Sequence, residues 1–165
     1  MHRKSKIFHI LVAIAILMMT LLAAPEVYAA DIEVKSDTDE WYEGNTYYVR
    51  NDVTVRLPIN VNGKVAVHIE EGATLTAARG IQVNQGSKID IEGKGKLVTT
   101  GDPSSSGAGI GPRYGNPGGE IEINVQPGSS VTVEAYGRGS AAGIGASGGC
   151  DPESNITIGG GHGTG

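Results

Sequence analysis

Ile89-Asp90-Ile91, Ile121-Glu122-Ile123 and Ile156-Thr157-Ile158 are three copies of one pattern, a polar residue between two isoleucines. Alternation with a period of two marks a half-buried strand, with the isoleucines on one face and the polar residue on the other. Val67-His68-Ile69 reads as a fourth copy upstream. With Ile69, Ile91, Ile123 and Ile158 as equivalent positions, the copies are 22, 32 and 35 residues apart. A second short strand follows, at Leu75-Thr76-Ala77, Leu97-Val98-Thr99 and Val131-Thr132-Val133. A third opens on Gly-Ile, at Gly80-Ile81, Gly109-Ile110 and Gly143-Ile144. The last two lie within Ala-Gly-Ile-Gly, at 108–111 and 142–145. The longer repeats gain their length at two places: 100–107, matched by 134–141, and 112–119, matched by 146–154.

Three short strands in a 22-residue unit suit one coil of a β-solenoid. Each side spans about 10 Å, and coils stack ~4.8 Å apart. One coil cannot bury its inner face, whereas several stacked coils can. No segment after residue 30 shows a helical period, and the glycines would weaken any helix. The expected fold is therefore all-β, a parallel β-solenoid of about three to four coils. A β-sandwich also has short strands and frequent turns, but the tandem offset of equivalent strands favours the solenoid. In this register Val67, Ile89, Ile121 and Ile156 form one inward column, with Ile69, Ile91, Ile123 and Ile158 beside it. His68, Asp90, Glu122 and Thr157 form the outward column between them. It is flanked by Ala66, Lys88, Glu120 and Asn155 on one side and by Glu70, Glu92 and Asn124 on the other.

The rest of the chain sets the boundaries. Arg3, Lys4 and Lys6 precede an apolar run, Ile7 to Ala24, and then Val27-Tyr28-Ala29-Ala30. A basic start, an apolar stretch and small residues at the cut site make a secretory signal peptide over residues 1–30. Residues 31–52 hold Trp41, Tyr42, Tyr47 and Tyr48 and read as an N-terminal β cap region. The repeats occupy 53–165 and stop one strand into a new coil, as expected of a piece of a longer array. An unfinished coil also offers an end for self-association. The 26 glycines in 165 residues are more than twice the usual ~7%. They lack the strict triplet period of collagen. A net charge of −5 disfavours nucleic acid, and one cysteine excludes an internal disulfide.

Taken together, Gly107-Ala108-Gly109-Ile110-Gly111, Glu120-Ile121-Glu122-Ile123, Val131-Thr132-Val133 and Ala142-Gly143-Ile144-Gly145 resemble the Gly-rich repeats of secreted bacterial right-handed parallel β-helix proteins. Those proteins belong with the pectate-lyase-like superfold, and some are described as carbohydrate-binding domains. The resemblance covers Val65 to Gly161. It implies a right-handed coil, a secreted or cell-surface location, and a polysaccharide or cell-wall glycan as partner. The chain departs from the pattern at Pro112-Arg113-Tyr114 and at Ala146-Ser147-Gly148, where such repeats usually continue with glycine.

Candidate sites follow from the ladders and the expanded loops. Tyr114 and Tyr136, with Arg113 and Arg138, lie in or beside those loops. An aromatic face covers a pyranose ring while polar neighbours fix its hydroxyls, so these four residues are candidate carbohydrate contacts. Packing of the rings against the coil is the alternative. Asp90 and Glu122, one coil apart, are candidate Ca²⁺ ligands, or else parts of a solvated polar face. No catalytic constellation stands out. Ser104-Ser105-Ser106 lacks a partnered histidine at motif spacing, and Gly93-Lys94-Gly95-Lys96 has no helix after it to make a phosphate loop. A non-catalytic carbohydrate-binding or adhesin-like module is therefore expected. A polysaccharide lyase or hydrolase using Asp90 and Glu122, and a purely structural spacer, are the alternatives. Secreted material is expected to begin just after Ala29 or Ala30; N-terminal sequencing that finds Met1 would refute the export signal.

Overall fold

The computed structural model describes residues 30–104, 106–149 and 154–159. The expected export signal, Cys150 and the final glycine run lie outside the described residues. Fourteen strands are described. They are β1 (Asp31–Glu33), β2 (Glu40–Tyr42), β3 (Thr46–Val49), β4 (Val53–Val55), β5 (Ile59–Asn62), β6 (Lys64–Ile69) and β7 (Thr74–Ala77), followed by β8 (Ile81–Gln82), β9 (Lys88–Gly93), β10 (Lys96–Thr100), β11 (Ile110–Gly111), β12 (Glu120–Ile123), β13 (Thr132–Tyr136) and β14 (Asn155–Ile158). They form three sheets, in spatial order β1-β3-β6-β9-β12-β14, β4-β7-β10-β13 and β2-β5-β8-β11. Every strand pair within these sheets is parallel. From β3 onward the chain visits the six-stranded sheet, then the sheet of β4, then the sheet of β2, and begins again. The protein is thus all-β with stacked parallel sheets, an arrangement consistent with a parallel β-solenoid.

Inward side chains of all three sheets meet in one core. Val67, Ile89, Ile91 and Ile121 from the first sheet, Leu75 and Leu97 from the second, and Ile59, Ile81 and Ile110 from the third are all fully buried in a single cluster. Residues 31–49 join the same stack. β1 and β3 extend the six-stranded sheet, and β2 extends the third. Trp41 and Tyr47 fill the first layer, stacked with ring centroids 4.9 Å apart. The Trp41 indole donates to the Thr38 carbonyl at 3.1 Å, and the Tyr47 hydroxyl accepts from the Tyr42 amide at 2.8 Å. The polar ends of both buried rings are thereby satisfied.

The observed register corrects the first expected step. Ile91 pairs with Val67, and Ile89 with Val65, so the step is 24 residues rather than 22. A shift of two residues leaves the same side chains facing inward, so apolar alternation is blind to it. Glycine decides it. Ile69 pairs with Gly93, which has φ +106°, and any side chain at Gly93 would run into the Ile69 backbone. The later steps hold: Ile89, Ile121 and Ile156 are register partners in turn. In the second sheet Leu97 pairs with Val133 and not with Val131. Ile110 pairs with Ile81 and bridges to Ile144, as the repeated Gly-Ile predicts.

Asn124 also departs from expectation. It has φ +56° and does not stand in an outward column. Its side-chain oxygen accepts from the Val131 amide at 2.7 Å and from the Ser129 hydroxyl at 2.8 Å, and its amide donates to the Val131 carbonyl at 2.9 Å. It therefore fastens the corner between β12 and β13. Ile156 and Ile158 hold the expected register but are 41% and 65% exposed, not core. β14 is the last strand of its sheet, and no strand of the second sheet follows it among the described residues. Ile91→Ala is expected to cost about 2–5 kcal/mol, and Ile158→Ala no more than ~0.5 kcal/mol. Urea unfolding followed by circular dichroism checks this, and equal costs would refute the assignment of core and end.

Candidate functional site

Two regions gather the polar and aromatic residues singled out above. The first is the outer face of the six-stranded sheet. The register shift places Ala66, not His68, beside Asp90, and Lys64, not Ala66, beside Lys88. His68 instead stands beside Glu92, with Nδ1 3.4 Å from the carboxylate. Asp90 and Glu122 are register partners, as expected. The Lys88 ammonium lies between two carboxylates, 3.0 Å from Glu120 and 2.6 Å from Glu122.

Each of these charges is tuned by its neighbours. Hydrogen bonds from Lys88 to Glu122 and then to Glu120 raise the lysine pKa. The same contact with Lys88 holds Glu120 below the usual carboxylate range. Asp90 is shifted the other way, chiefly because its surroundings desolvate it, with the charges of Glu92 and Glu122 adding to the effect. A hydrogen bond from the Gln126 amide to Asp90 Oδ2, at 3.2 Å, opposes the shift without cancelling it. Asp90 Oδ1 is buried and has no hydrogen-bond partner. As a calcium site the pair is poorly furnished. Lys88 already supplies a cation to Glu122, and among the described residues no group of three or more metal-ligating side chains comes together.

The second region surrounds the outside of the third sheet. Arg113 and Tyr114 lie in the loop after β11, and Tyr136 and Arg138 at the end of β13 and just beyond. Tyr114 and Tyr136 are 55% and 56% exposed, so neither ring is spent on the core. The loops that carry them are tied together. The Ser147 hydroxyl donates to the Arg113 carbonyl at 3.2 Å, and the Gly148 amide to the Ser106 carbonyl at 3.0 Å. The Arg138 amide donates to the Gly107 carbonyl at 3.1 Å. A side chain at Gly149 would collide with the Tyr114 ring, and one at Gly139 with the Ser106 side chain. Residues 106–107 thus link the segment of Arg138 to the segment that covers Tyr114.

Arg79 and Asp102 anchor the start of this loop system. The guanidinium donates to Asp102 Oδ1 from Nη2 at 2.7 Å and from Nε at 3.1 Å. Burial works to raise the Asp102 pKa, but the Ser104 amide, Arg79 and the Ser104 hydroxyl outweigh it and hold the carboxyl low. Nothing local in the sequence signals this pair, because Arg79 and Asp102 lie 23 residues apart in successive repeats. A further polar cavity of about 410 Å³ lies at the corner between the first and second sheets, where His68, Glu71, Glu92, Lys94 and Gln126 line it.

The chain matches no family model, no curated protein and no solved structure. Functional argument therefore rests on its own residues. For Asp90 the sign of the pH effect is fixed. It binds its proton more tightly folded than unfolded, so its ionisation costs stability as pH rises through the folded pKa. Asp90→Asn is expected to be more stable than the parent at neutral pH. The gain should vanish well below the ordinary carboxylate range, where Asp90 is protonated in both states. Urea unfolding at the two pH values measures it, and a gain that persists in acid would refute the assignment.

Proposed function

We propose that the protein is an exported, non-catalytic module that binds carbohydrate at a cell surface or in the extracellular space. In this reading the three sheets close into a right-handed parallel β-helix, as in the secreted bacterial proteins that its repeats resemble. One observation carries the proposal: Tyr114 in its loop and Tyr136 at the end of β13, both more than half exposed, stand beside Arg113 and Arg138 on segments joined by hydrogen bonds. Exposed tyrosines on loops held by hydrogen bonds offer apolar faces at little entropic cost. Arginine supplies directional donors for hydroxyl oxygens. The partner is then a polysaccharide or cell-wall glycan. Exposed Ile156 and Ile158 also supply a surface for self-association.

One observation favours an enzyme instead. Asp90 has a raised pKa beside Glu122, which is ion-paired to Lys88. A carboxyl with a raised pKa suits a general-acid role. Yet Asp90 Oδ1 is buried from solvent, so that oxygen is not presented to a substrate. Binding without turnover is the better fit. On immobilised plant and bacterial cell-wall polymers, the double variant Tyr114→Ala, Tyr136→Ala is expected to be retained at least ten-fold more weakly than the parent. Unchanged retention would sink the loop platform, and release of soluble sugar by the parent that Asp90→Asn abolishes would establish the enzyme.

A further inference from the structure

We infer a second carbohydrate contact, remote from the loop tyrosines: a groove along the corner where the chain passes from the third sheet into the six-stranded sheet. Two cavities, of about 360 and 270 Å³, lie there and share Lys64, Lys88 and Glu120. The larger is floored by Ala66, whose small side chain leaves room between Thr46 and Asp90. The smaller runs past Ser87 and Gly119 to Asn155. Joined, they span β3 to β14 across the stack.

The wall of this groove repeats with the coils. Lys64, Lys88, Glu120 and Asn155 are successive register partners. Gly44 extends the row, its amide donating to the Lys64 carbonyl at 3.0 Å. Five strands at ~4.8 Å spacing make a row about 19 Å long. A linear glycan laid along the stack would therefore meet polar side chains of this row at successive layers.

The charges select the kind of chain. Lys88 is matched by Glu120 and Glu122, and the whole protein carries −5, so a polyanion gains little. Lys64 has no salt-bridge partner among the described residues and feels Glu120 only at longer range. Its three N–H donors face the oxygens of an uncharged ligand, and Glu120 and Asn155 offer acceptors. The ligand class is a linear neutral glycan, held along the groove.

This inference depends on the carbohydrate reading for its ligand class but not on the loop platform. A polymer can touch both surfaces and gain avidity, whereas a hexasaccharide in the groove engages one. Titration calorimetry of the purified chain with cellohexaose and with an oligogalacturonide of equal length tests it. Cellohexaose is expected to bind the parent, and Lys64→Ala and Ala66→Trp each to weaken it at least ten-fold. Tyr114→Ala, Tyr136→Ala should leave it within two-fold. The Lys64 variant removes no core contact, so it keeps the test valid if Ala66→Trp misfolds. Parent-like binding by the Lys64 variant overturns the groove. So does preference for the oligogalacturonide, or no cellohexaose binding by the parent. Loss of cellohexaose only in the tyrosine variant also overturns it while leaving the loop platform standing.

Discussion

Parallel stacking with a period of two obliges each residue to sit beside its counterpart in the neighbouring layer. That constraint governs the rest of the molecule. Inward, it lines up Val65 with Ile89 and Ile121, so one aliphatic column supplies the core of successive layers. Outward, it lines up Lys64 with Lys88 and Asp90 with Glu122, juxtapositions that would be unfavourable alone. They are tolerated because Lys88 pairs with Glu120 directly beside it and reaches diagonally to Glu122. Burial of the columns is worth roughly 1.5–3 kcal/mol per aliphatic side chain, far more than an exposed charge pair. The core therefore sets which face turns inward, Gly93 settles the two-residue choice of register, and the surface charges adjust to both.

Corners carry what the sheets cannot. Strand residues are bound to the two-residue period, but a corner can lengthen without inverting any face. The 32- and 35-residue repeats keep the strands of the 24-residue one and lengthen the connections between them, and among the described residues those connections form the interlinked loops around Tyr114 and Arg138. Polar corner residues close the backbone where the ladder stops. Asn124 does this with three hydrogen bonds to Val131 and Ser129. Gly93 does it by having no side chain where the Ile69 backbone passes. Within strand β10, buried Thr99 serves a neighbouring segment instead, its hydroxyl donating to the Gly109 carbonyl at 2.5 Å.

The sheets were legible in the sequence because alternation and repeat length survive without any knowledge of partners. Ile89, Ile121 and Ile156 fall into register as the spacing predicts. The slip between Val67 and Ile69 as the mate of Ile91 was not legible, since both are inward aliphatics on a six-residue strand. The positive φ required at Gly93 was the available signal. That slip mattered for the outer face. It hid Lys64, which lines the groove, set Ala66 beside Lys88 rather than Asp90, and drew attention to His68 beside Asp90, which the structure places beside Glu92. Spacing alone puts Asn124 in an outward strand column, because its corner role depends on Val131, seven residues on. Ties such as Ser147 to Arg113 join residues 34 apart and leave no local pattern.

Trp41 is the single tryptophan of the chain, and it is fully shielded against Tyr47 in the first layer. In a stacked repeat each unit touches only its neighbours, so stability is distributed along one dimension. Indole emission therefore works as a local reporter of one end of the stack, while the far-ultraviolet signal averages over all layers. The offset between the two is a direct measure of how strongly the first layer is coupled to the layers behind it.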